Sequence, residues 1–429
     1  MNQLLAYGVA GLLAIGGTCL GGDKWSRFRG PNGSAVSTET ALPTAWSDEK
    51  GVIWKTKLPG PGSSSPIVIG DRIFITAYFG YGDLAPDIDA GEQKDLVLHV
   101  ICIDRTSGRI LWQKPVQPKL PESPFRAPGT SSHGYSSSTP TSDGERVYVF
   151  FGKTGVFAFD LEGKQLWHAD VGSNLDRMRF GSGASPILFQ DLLIVNASIE
   201  GAAIVGLDKR TGHEVWKAPF SGFGGSWSTP ILVEAEGGRK DLVVAVTDEV
   251  WGLNPETGKL RWYATTDQGQ PICPSVIAED GIVYAIGGRR GKAIAVRAGG
   301  KGDVTKTHVL WTANVGSYVT SPLIHEGHLY WVNDRGIAYC VDAKTGKVVF
   351  QKRLSGARQV YASAVLAAGK LYVVSREAGT FVLSAKLEFE QLAHNRLESD
   401  SSVFNASPAV DKGKLLLRSN QFLYSIGQD

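Results

Sequence analysis

Short apolar stretches with polar residues at alternate positions run the length of this chain. Examples are SSPIVIGDRIFIT (64–76), VLHVICIDRTSGRILW (97–112) and KLYVVSREAGTFVLS (370–384). A period of two over four to eight residues predicts half-buried β-strands. Gly70-Asp71, Asp143-Gly144 and Asp280-Gly281 separate a first strand from a second and read as hairpin turns. The strands fall into sets of four, A to D. A strand start of the Ser/Thr–Pro–apolar kind, or a variant of it, recurs at Pro66, Pro140, Pro186, Pro230, Pro274, Pro322, Ala364 and Pro408. After a first gap of 74 residues, which holds a long insertion, the gaps are 42–48 residues; such a period with several strands per repeat predicts a β-propeller.

Five copies continue into a turn of the form A-x-D-x-x-T-G-x-x-x-W or a near variant. They end at Trp112, Trp167, Trp216, Trp262 and, with Phe in the last slot, Phe350. The turn joins strands C and D. Its Asp104, Asp160, Asp208, Asn254 or Asp342 can accept backbone N–H bonds across the turn. Its Gly supplies a positive φ. The Trp then projects from strand D toward the seam with a neighbouring blade. These residues, with Trp311 of the fifth blade, are therefore expected to be structural. The last copy stops at FLYSIGQD without a strand D, whereas GVIWKTKL around Trp54 has the form of one. The expectation is an all-β, eight-bladed propeller of four-stranded antiparallel blades, closed by an N-terminal strand. Closure removes the edges that an open sheet would expose.

Composition adds a compartment and excludes some partners. Residues 1–22 carry an apolar run from Leu4 to Leu20 followed by small residues. This reads as a signal peptide rather than a membrane span, so the mature chain is expected to be exported without a transmembrane segment. Cys19 sits where a lipoprotein cysteine would, but its context is a poor match, and ordinary cleavage is the preferred reading. Residues 23–52 are an N-terminal extension, and 53–429 a single propeller, expected to be a monomer. The formal charge is +2, with no long run of either sign, which gives no case for nucleic acid. Cys102, Cys273 and Cys340 show no ligand spacing and read as small buried side chains.

The repeat resembles the quinoprotein-type, or PQQ-like, propeller repeat over residues 53–429. Trp25-x-x-Phe28-Arg29-Gly30-Pro31-x-Gly33 and the repeat layout are most similar to exported, BamB-like propellers of the planctomycete type. The resemblance implies two functional classes. One is the PQQ-dependent dehydrogenases, which hold the quinone over a ring-stacking floor with Ca²⁺ and an Asp base, commonly beneath a disulfide between adjacent cysteines. The other is non-catalytic, with BamB of outer-membrane protein assembly as its representative. This chain has no Cys-Cys pair and no evident Glu/Asn/Asp set, so neither PQQ nor a metal is expected and no catalytic residue is assigned. Trp227 is a nominal floor residue, with packing the preferred reading.

Strand polarity places the B–C turns and D–A connections on the face where strand A starts, opposite the D-x-x-T-G turns. Connections carry function more often than strands. That face gathers His133, Tyr135, Arg179, Trp227, Arg289, Arg335, Arg358 and Tyr361 as a candidate rim, with Arg177, Arg290 and Arg376 beside them. Aromatic residues and Arg favour binding hot spots, although Asp248, Glu249, Asp334 and Glu377 stand ready to neutralise the arginines. His133 has no sequence-defined partner for general-base work. The function expected is a protein-interaction platform in the cell envelope. The alternatives are a quinoprotein oxidoreductase and a carbohydrate-binding propeller.

Overall fold

A computed structural model describes residues 25–82, 90–220 and 224–428. The leader reading of 1–22, with Cys19, lies outside the described residues. Among those described, the strands form eight antiparallel sheets, each wound from strand A at the axis to strand D at the periphery. Blade 1 contains Ile67–Ile69, Arg72–Phe79, Val97–Asp104 and Ile110–Val116. Blade 8 contains Ala409–Asp411, Lys414–Arg418 and Phe422–Ile426, and Val52–Lys57 supplies its outer strand as the Trp54 segment predicts. Blade 4 departs from four strands. Gly302–Asp303, in the Gly/Lys-rich loop of blade 5, pairs parallel to its outer strand.

The repeat turn is a device for joining blades. Asp104 Oδ1 accepts from the backbone N–H groups of Thr106 and Ser107, and Asp208 and Asp342 act in the same way. Asp160 and Asn254 likewise accept from backbone N–H groups of their own turns. Each turn then receives the Trp of the preceding blade. The indole Nε1 of Trp112, Trp167, Trp216 and Trp311 donates to a carbonyl of the next blade's turn: Leu161, Lys209, Pro255 and Ala343. Trp54 reaches Arg105 O in blade 1. The turn glycine has a second reason to be glycine. A Cβ on Gly212 would lie 2.6 Å from the Trp167 ring, and one on Gly258 would lie 2.3 Å from the Trp216 ring. Trp262 is the exception. Blade 5 lacks the turn, and Trp262 Nε1 instead donates to Asp241 of its own blade at 2.7 Å.

A second ring runs round the axis. The backbone N–H of Ser65 donates to Thr139 Oγ1, and the series continues through Ser185, Thr229, Ser275, Ser321 and Ser363 to Ser407, at 2.9–3.0 Å each. This corrects the start assigned at Pro274. Ser275 occupies the Ser slot, Val276 occupies the Pro slot, and strand A of blade 5 is Ile277–Glu279. The junction of blades 8 and 1 is held differently. Buried Arg418 donates to Ser64 O at 2.8 Å and to Thr76 O at 2.7 Å, while Arg105 Nε meets Asp411 at 2.6 Å.

The N-terminal extension is not a tail but a plug. Strands A leave inner edges facing the axis, and residues 25–46 cap several of them. Val68 N–H donates to Trp25 O, Ser142 N–H to Ser26 O and Leu366 N–H to Ala35 O, at 2.8–3.0 Å. Trp25 and Arg29 are buried. The segment leaves past Tyr372, whose hydroxyl donates to Pro43 O, and reaches Val52 at the outer edge of blade 8. No helix among the described residues is long and apolar enough to cross a membrane.

Candidate functional site: the axial pocket and its rim

The plug turns the channel into a blind pocket. A cavity of about 170 Å³ opens on the face where strand A starts, with Phe28 of the plug among its lining. Its walls follow a rule. The residue two before each Ser/Thr slot lines it in every blade: Ser63, Ser137, Gly183, Trp227, Cys273, Val319, Tyr361 and Asn405. Blades 1 to 3 contribute small groups and leave the hollow. Trp227 and Tyr361, with Tyr318 and Phe180, form aromatic walls.

Three of the rim residues named from sequence come together here: His133, Trp227 and Tyr361. His133 Nδ1 lies 2.5 Å from Ser137 Oγ. Burial, reinforced by nearby Arg376, pushes its imidazole down to about 4, so the ring is neutral at neutral pH. Trp227 Nε1 donates to Gly181 O at 2.5 Å, which fixes the indole plane against Phe180. The Arg376 guanidinium lies 4.4 Å from the Tyr361 ring centroid, a cation–π contact. Asn405 donates to Ser132 O, while its Oδ1 is buried without a partner.

The other named residues lie elsewhere. Tyr135 is outside the cavity. It packs against Tyr78, Tyr81 and Phe125, and its hydroxyl donates to Ser123 O at 2.7 Å. It therefore shapes the long connection between blades 1 and 2. Arg358 pairs with Glu377 at 3.6 Å, and Arg290 pairs with Asp267. Arg179, Arg289 and Arg335 are exposed, and among the described residues none makes an ion pair, though Arg289 stands close enough to Tyr318 to act on its hydroxyl. The rim is thus partly neutralised and partly free cation. Asp334 and Glu249 serve other partners, the Tyr318 N–H and the Trp251 indole. Tyr318, Phe180 and Asn405 were not singled out from sequence. The offset from the Ser/Thr slot would have found Asn405.

The donor set can be tested against the quinone that the repeat implies. Aromatic walls suit a planar ring. No Asp or Glu lines the cavity, however, so nothing there would hold Ca²⁺ or serve as a carboxylate base. Among the described residues, no group of three or more His, Cys, Asp or Glu could hold a metal ion. Cys273 lines the cavity, and burial pushes its thiol up to about 12, which disfavours the thiolate. The residues present do not fit a quinone–calcium pair.

Comparison with known proteins agrees with this architecture. The tetrathionate hydrolase of Acidithiobacillus ferrooxidans is 21% identical over 355 residues, which are 76% of this chain and 65% of that protein. The chain therefore spans just under two thirds of that relative's length. Among solved structures, BamB from Moraxella catarrhalis matches with a TM-score of 0.61 at 14% identity, over 87% of this chain and 99% of that one. A europium-containing methanol dehydrogenase matches with a TM-score of 0.65 at 13% identity, over 93% and 90%. At such identities these likenesses establish the fold alone. The family model described as outer membrane protein assembly factor BamB matches residues 28–171, 98–352 and 302–426, so it takes in the plug's Phe28 as well as every blade. The chain belongs to that family, a PQQ-type β-propeller of the BamB kind.

Proposed function

We propose that this chain is an exported, non-catalytic propeller that binds a protein partner in the cell envelope through the mouth of its axial pocket. The observation that carries the reading is the composition of that mouth. Aromatic walls without a lining carboxylate are rimmed by arginines, of which Arg179, Arg289, Arg335 and Arg376 make no ion pair among the described residues. Such a surface has cations ready for acidic groups and an apolar recess for an anchoring side chain. The family description and the signal-like residues 1–22 support an envelope setting.

The test is co-purification from the native envelope with Arg335→Ala, Tyr361→Ala and a control, Lys259→Ala, in a D-x-x-T-G turn on the opposite face. Truncating an anchor should cost at least about 2 kcal/mol of binding. Equal retention of partners by all three variants would refute the reading. Stoichiometric PQQ in the purified protein, with alcohol- or sugar-dependent dye reduction, would replace it with the oxidoreductase. A carbohydrate is favoured by one observation, the unpartnered Asn405 Oδ1 beside aromatic walls. Saturable binding of a free sugar by calorimetry, lost in Trp227→Ala, would favour that alternative.

A further inference from the structure

Below the pocket, the plug holds two arginines on the propeller axis without a counter-charge, Arg29 buried and Arg27 half-buried. Arg27 Nη2 donates to Pro230 O at 3.3 Å and Arg29 Nη2 to Pro322 O, so their side chains cross the channel to blades 4 and 6, flanking blade 5. Among the described residues neither meets a carboxylate. Three of their nitrogens, Arg27 Nε, Arg29 Nε and Arg29 Nη1, are buried with no hydrogen-bond partner, and so is Trp25 Nε1. All four are donors, since guanidinium and indole carry no acceptor. The contrast is Arg418, as buried as Arg29, whose two terminal nitrogens are both satisfied by blade 1 and whose Nε alone lacks a partner.

Burying a cation without a partner is strongly unfavourable, and burying two side by side adds their repulsion. Burial, and for Arg29 the neighbouring Arg27 charge, pulls the two down to about 10 and about 9, which leaves both charged at neutral pH. Water can satisfy a neutral donor but supplies no counter-charge. We infer that the plug carries a binding site for one small inorganic anion, held between Arg27 and Arg29. The way in is from the side opposite the pocket. A broad groove lined by Pro31–Ser34 and by the inner strands of blades 4 and 5 reaches Gly33, beside the Arg27 guanidinium, and Arg27 is only partly buried. The anion would fasten the plug across the channel, whatever binds at the mouth.

The test uses the whole purified protein. Chloride-35 NMR line broadening should be saturable, displaced by bromide, and lowered severalfold in Arg27→Gln but not in Arg335→Gln at the mouth. The melting temperature should rise with chloride at constant ionic strength set by gluconate, and this rise should vanish in Arg27→Gln. Should that variant fail to fold, crystals of the unaltered protein in bromide should show one anomalous peak between the two guanidiniums. Sulfate in place of bromide decides whether an oxyanion is also accepted, and either ion at that position supports the site. Water alone between the guanidiniums, or broadening unchanged in Arg27→Gln, would overturn the inference.

Discussion

Gly258 shows how much a single repeat position carries. It sits at φ +67°, and an added Cβ would lie 2.3 Å from the Trp216 ring. Gly258→Ala therefore combines a strained backbone with an overpacked seam and should cost about 1–3 kcal/mol, measured by denaturant unfolding. Glu200 carries a different load. It is buried beside Ser182, whose hydroxyl donates to it, and burial, with the negative charges of Glu122 and Asp176, pushes its carboxyl up to about 8. The unfolded carboxyl titrates near 4.5. Between these values the folded state holds a proton that the unfolded chain has lost. The stability so conferred is full below about 4.5 and is lost as pH rises through 8. Glu200→Gln should thus gain on the parent between pH 5 and pH 9, on the order of 1–4 kcal/mol. Urea unfolding at the two pH values checks it, and a pH-independent difference would contradict the buried, protonated carboxyl.

Strands, turns and seams are where the sequence was most readable. The Asx turns and the Trp seams follow from residue types at fixed spacing, and the closing strand is legible because Trp54 repeats the pattern of Trp112 and Trp311. Trp216, 7% exposed, is expected to lose about 3–5 kcal/mol on replacement by Ala, in an equilibrium unfolding measurement. Three features escaped for physical reasons. In Cys273-Pro274-Ser275 the proline precedes the Ser slot, so reading strand starts from proline shifts blade 5 by two residues, whereas the backbone bond to Ser275 Oγ sets the true register. Residues 25–46 have no period because they cap many strand edges in turn rather than one sheet. The pocket ring has no common residue type, running from Ser63 and Ser137 through Trp227 to Asn405. It becomes visible once the Ser/Thr ring supplies a common frame, and the aromatic cues lead to two of its members, Trp227 and Tyr361, and to His133 beside them.

At the scale of the molecule, one chain end closes the ring twice. Val52–Lys57 completes blade 8, and the preceding residues plug the axis. Removing residues 25–46 while keeping the closing strand should leave the blades paired but bare several inner edges. Faster amide exchange at Val68, Ser142 and Leu366 is the expected result, and unchanged protection there would show that the plug caps nothing. Because the plug makes the pocket blind, the proposed partner would meet it from the open face, where the aromatic walls and the arginines without an ion pair lie. The most direct measurement is site-specific photo-crosslinking in intact cells, with the probe placed at Arg335 or Tyr361 on that face and at Lys259 on the other. A discrete envelope protein captured from Arg335 and Tyr361 but not from Lys259 is the predicted result. Capture from Lys259 alone, or from all three positions equally, would contradict it.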